Sequence, residues 1–157
     1  MDYTFAATIG LHTLAAVIWV GGMFFAHVVL RPSVSDMNPT LRLSLWRHVL
    51  PRFFAWVFIS IGVLLVTGYG VLLTGYRGGI SGGYLHIDIM QIIGAIMIVL
   101  FLFLFLGPYG SFKRALARND ITAAVTAQGR IRKIVVINLI LGLFTTFIGA
   151  AGTFVGY

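Results

Sequence analysis

The chain has 157 residues, 59% of them hydrophobic and only 10% charged, with a net charge of +7 and no cysteine. A soluble domain carries roughly 25% charged residues, so this chain cannot cover a globule with a polar skin. Disulfide frameworks, thiolate zinc sites and cysteine nucleophiles are excluded as well, and residues 1–157 read as one small polytopic membrane domain.

A hydrocarbon core about 30 Å thick takes roughly 20 apolar residues per helix. Four segments qualify, over residues 5–30, 53–73, 86–106 and 134–155. The first has no basic leader and runs into Arg31-Pro32 rather than a small-residue cleavage site, so it reads as a span and not a signal peptide. Between spans one and two, Leu41, Leu43, Leu45, Trp46 and Leu50 alternate with basic residues. That pattern predicts a short interfacial helix over residues 39–50, ended near Pro51. Residues 75–83, with five glycines, predict a turn. Residues 111–129 predict helical extensions of spans three and four.

Basic residues set the expected orientation. Arg31, Arg42, Arg47 and Arg52 lie between spans one and two, and Lys113, Arg114, Arg118, Arg130, Arg132 and Lys133 lie between spans three and four. Only Arg77 falls on the other side. The positive-inside rule then makes both basic loops cytoplasmic and puts both termini on the outer, periplasmic side of an inner membrane. Anionic lipid accounts for the basicity without a nucleic-acid partner. The predicted fold is all-α, an integral membrane four-helix up-down bundle. Gly142, Gly149 and Gly156 recur at seven-residue steps on span four, a stripe suited to close helix packing. Asn138 and Gln91 read as hydrogen-bonders between helices.

The chain has four histidines. Imidazole at membrane depth is costly and usually faces the bundle interior with a partner. His12 and His86 form an outer pair, and His27 and His48 an inner pair. His12 and His27 stand about 22 Å apart along one helix and about 60° apart around it, so both can face one side. His12 lies about 10 Å inside its span whereas His86 opens its own, a mismatch in height. Facing imidazoles from two helices are what a bis-histidine haem b requires, with Trp19 and Gly21-Gly22 as further pocket residues. Copper is the alternative ligand. Met23 stands four residues before His27 and Met90 four after His86, so His12, His86, Met90, His27 and Met23 form a thioether and imidazole donor set. Each feature also has a plainer role, since histidines near helix ends hydrogen-bond at the interface and methionine fills gaps. No nucleotide-binding fingerprint or Ser-His-Asp arrangement is present, and Asp88 is the one acid near a span.

The stretch His12-Thr-Leu-Ala-Ala-Val-Ile-Trp19-Val-Gly21-Gly22, followed by Arg31-Pro32, resembles the first-helix signature of the copper-resistance protein D (CopD) family. The pattern is also similar to HemJ-type protoporphyrinogen oxidases. Thr67-Gly68 and Tyr84-Leu85-His86 extend the resemblance to spans two and three. It implies functional roles for His12 and His86, with haem b or copper as the ligand. HemJ-type proteins often carry a lysine two positions after the span-three histidine, where this chain has Asp88.

The leading expectation is a small haem b protein engaged in electron transfer or membrane redox chemistry. Whether it turns over a substrate, as a haem-dependent oxidoreductase, stays open at this stage. Its partners would be membrane lipid, a quinol or redox protein, and a second copy of the chain. Copper binding or transport is the rival, and an accessory subunit of a larger membrane complex is the third reading.

Overall fold

Long apolar stretches with few helix breakers give helices throughout the computed structural model, which describes residues 3–74 and 84–155, with side chains to Gly152. The predicted turn at residues 75–83, Arg77 and Gly156 lie outside the described residues. We number the helices α1 (Tyr3–Ser33), α2 (Pro39–Thr74), α3 (Leu85–Leu106), α4 (Pro108–Ala117) and α5 (Ile121–Val155). The four long ones are apolar and long enough to cross a membrane. Val66 and Leu106, each 75% exposed, are side chains that only lipid would cover favourably.

The helices form an antiparallel ring. His12 meets Gly68 and Gly22 meets Phe53, so α1 runs against α2; Gly142 meets Met97 and Gly149 meets Met90, so α3 runs against α5. Val20 of α1 also touches Gly142 of α5. Phe54 and Phe58 of α2 pack edge-on against Phe101 of α3 and close the fourth side. Thus α1 and α3 stand at opposite corners. The order of the helices brings Arg31, Arg42, Arg52, Arg114, Arg130 and Arg132 to one end, the basic end.

Three local features differ from expectation. The first is α2, where the predicted interfacial helix over 39–50 is instead the opening third of a 36-residue helix. Leu43, Trp46, Leu50, Phe54, Val57 and Ile61 are buried in one unbroken stripe across Pro51. Burying that stripe offsets the roughly 3 kcal/mol that an interior proline costs. Asn38 Oδ1 caps the start by accepting the Thr40 N–H at 2.9 Å.

Second, span three does not extend smoothly. Gly107 breaks it, Pro108 opens the amphipathic α4, and Tyr109, Phe112 and Ala115 fold back into the core. A tight turn with Asn119 at φ 55° leads to Asp120, whose carboxylate accepts the Ala123 N–H and starts α5. The expected extension of span four holds, since α5 is continuous over 35 residues.

Third, α1 contains a π-helical turn over Phe25–Leu30, in which the Arg31 N–H bonds back five residues to the Ala26 carbonyl.

The packed core occupies the half nearer the basic end. Phe54, Phe112, Met23, Leu43, Leu104 and Val57 are its fully buried large side chains. Toward the other end packing loosens, and every side chain from His86 to Gln91 is only half-buried. Threonine hydroxyls in the spans bond to carbonyls one turn back, as Thr146 does to Gly142 at 2.8 Å, which satisfies them without water.

Candidate functional site

His12 is held by a specific contact. Its Nδ1 lies 2.9 Å from Thr67 Oγ1, and the Thr67 hydroxyl donates to the Val63 carbonyl at 2.6 Å. With its hydrogen committed to that carbonyl, the Thr67 oxygen can only accept, so His12 Nδ1 carries the proton and Nε2 carries the bare lone pair. Gly68 completes the seat, because a Cβ there would lie 3.1 Å from His12 Cε1. A neutral imidazole oriented through Nδ1–H, with Nε2 unprotonated, is the form that ligates a metal or haem iron. The donor chemistry therefore fits either expected group.

His86 sits at the first turn of α3. A Cβ on Gly152 would come within 2.5 Å of its Cγ, so the missing side chain on α5 makes room for the imidazole. Tyr84 lies beside it, with ring centroids 5.7 Å apart. One turn along, Met90 packs on Gly149, where a Cβ would be 3.2 Å from its sulfur. The glycine stripe of α5 is thus a packing seam for α3, as its spacing suggests. Asn138, buried on α5, donates to the Met97 carbonyl of α3 at 3.1 Å, the interhelical role expected of it, while its Oδ1 has no partner among the described residues. Gln91 reaches Asp88 on its own helix at 3.5 Å.

Heights can be compared through Gly142, which touches both Val20 and Met97. From that level His12 is eight residues along α1 and His86 eleven along α3, about 12 Å and about 16 Å at 1.5 Å per residue. The two histidines therefore differ in height by only about 4–5 Å, less than the 10 Å that span boundaries imply. Hydropathy locates span edges loosely, whereas glycine contacts register one helix against another. The two rings are held by different helices, His12 by α2 and His86 by α5.

The inner pair separates. His27, half-buried in the π-helical turn, lines a cavity of about 520 Å³ together with Arg31, Arg42 and Arg132. His48 is exposed and its Nδ1 lies 2.8 Å from the Ser44 carbonyl of its own helix. Trp46, Val49 and Leu50 on the same helix face the cavity, which puts His48 on the other side of α2. Trp19 and Met23 are 4% and 2% exposed within the core, where Trp19 meets Phe101 edge-on. Among the described residues, no group of three or more His, Asp or Glu side chains is placed to hold a metal ion.

Sequence reasoning used the arginines only for orientation and missed their grouping with His27. The available signal was Arg31 one turn after His27. Thr67 entered only through a family resemblance, although a threonine in a span is itself a hint of a polar partner.

An uncharacterized protein of Aquifex aeolicus (strain VF5) is 31% identical over 140 residues, spanning 88% of each chain. The two belong to one family. No known family model matches the chain, and no solved structure matches it.

Proposed function

We propose that this chain is an integral inner-membrane haem b protein of the CopD/HemJ-like group, working in electron transfer or membrane redox chemistry. The reading rests on His12, whose Nδ1–H is engaged by Thr67 so that Nε2 is left as a ligand lone pair. His86 is the second residue that would hold the group. It stands at the loosely packed end, about 4–5 Å from level with His12 along the bundle. The residues' own part is to hold these imidazoles, fix their tautomer and keep the surroundings apolar. When bound, the haem supplies reversible one-electron transfer.

The orientation follows from the grouped arginines and lysines, which favour a cytoplasmic basic end and outward termini. His12 and His86 then belong to the periplasmic half, where an outer electron acceptor or a quinol would meet the protein.

A reduced-minus-oxidised visible spectrum of the purified protein tests the proposal. The expected result is a sharp alpha band that is lost in His12→Ala and weakened or shifted in His86→Ala. A colourless protein that retains copper by metal analysis would replace haem with the copper reading. A protein with neither group would leave a packing subunit.

A further inference from the structure

The cavity at the basic end carries a second assignment, independent of any haem. It is bounded by the π-helical turn of α1, the start of α2 and the start of α5. Its polar rim holds His27, Arg31, Arg42, Arg132, Ser35 and Gln128. Its wall is apolar, formed by Trp46, Leu50, Phe53 and Val135. At about 520 Å³ it falls within the usual range for ligand sites, roughly 300–1,000 Å³.

Two observations define what fits. Three guanidinium groups from three separate helices share one concavity with no carboxylate among its lining residues. Arg42 is fixed in place, its Nη1 donating to the Ser35 carbonyl at 3.0 Å. Guanidinium groups so grouped repel one another unless an anion lies between them, and their planar forks match phosphate oxygens. The second observation is depth. Arg31 and Arg132 flank the apolar runs of α1 and α5, and Phe53 and Val135 stand on the apolar side of that rim. A ligand that satisfies both must be charged at one end and apolar at the other.

We infer that this cavity binds the phosphate headgroup of an acidic phospholipid, with acyl chain along Trp46, Leu50, Phe53 and Val135. Basic pockets between spanning helices recognise anionic lipid headgroups in this way. The π-helical turn contributes directly, because it places Ala26, His27 and Arg31 together on the cavity wall.

The test uses the full chain in nanodiscs of phosphatidylcholine containing a minor fraction of phosphatidylglycerol, with bound lipid counted by native mass spectrometry after release into detergent. Enrichment of phosphatidylglycerol over the bulk ratio is expected. Combining Arg31→Gln with Arg132→Gln should lower that enrichment by about tenfold or more. Arg114→Gln with Arg118→Gln, on and just after α4 and not among the residues lining the cavity, should leave it unchanged. Arg132→Lys retains charge without the fork and should give an intermediate loss in a protein that still folds. Retained lipid at the bulk ratio, or equal losses in the α4 pair, would overturn the assignment. Displacement of the bound lipid by inorganic phosphate alone would also overturn it, in favour of a soluble phosphoryl ligand. A parallel loss of the alpha band in the Arg31/Arg132 variant, without lipid enrichment in the parent, would give the cavity to haem propionates instead.

Discussion

Thr67 accepts the Nδ1 proton of His12 at 2.9 Å while giving its own hydrogen to the Val63 carbonyl at 2.6 Å. One hydroxyl on α2 thereby decides which nitrogen of an α1 ring is bare. Thr67→Val keeps the shape and removes the hydroxyl acceptor, at a cost of about 0.5–1.5 kcal/mol for the lost hydrogen bond. Thermal unfolding in detergent should show that loss. The haem alpha band of the same variant should weaken or shift, and Thr67→Ser should restore both.

Glycines on these helices divide into seats and open positions, and alanine substitution should separate them by sign. At Gly152 a Cβ would lie 2.5 Å from His86 Cγ and 2.6 Å from its Cβ. Gly152→Ala should therefore cost about 1–3 kcal/mol through overpacking and push the His86 ring away from α5. At Gly94 nothing lies within 4 Å. Gly94→Ala should raise the unfolding temperature, by up to about 1 kcal/mol of helix propensity.

Phe54 is the hub of the aromatic core, 4.9 Å from Tyr109 and 5.6 Å from Phe101 between ring centroids. It joins α2 to both α3 and α4 and is 1% exposed. Phe54→Ala should cost about 3–5 kcal/mol. Limited proteolysis should then cut faster in residues 108–120, where Tyr109 loses its ring contact with α2.

Pro51 interrupts a helix whose buried stripe continues on both sides of it. Pro51→Ala restores one backbone hydrogen bond and relieves the ring's clash with the preceding turn. The substitution should stabilise the protein by up to about 3 kcal/mol. A lower unfolding temperature would mean that the proline sets a bend the packing needs.

How much was legible in advance follows from the physics of each feature. The four spans are plain because lipid demands long apolar runs, and α3 is apolar over nearly its whole length. The role of Gly142 and Gly149 was legible from their seven-residue spacing. The continuity of α2 through Pro51 was not, because local proline chemistry argues for a break and only the tertiary stripe overrules it. The grouping of Arg31, Arg42 and Arg132 was hidden because they come from three distant segments. The separation of His48 from His27 was hidden too, since it depends on the rotation of α2 and not on depth.

The π-helical turn makes α1 a spliced element. Its outer part is phased to seat His12 against Thr67, and its inner part is phased to set His27 and Arg31 into the arginine-rich cavity. Six residues of the wider π-helical turn rotate the chain about as far as five of α-helix, so removing one residue between Phe25 and Leu30 would give regular α-helix with the phase beyond it nearly unchanged. Arg31-Pro32 would then keep its place on the rim and His12 its seat, so a single-codon deletion should be tolerated in this turn and nowhere else along α1.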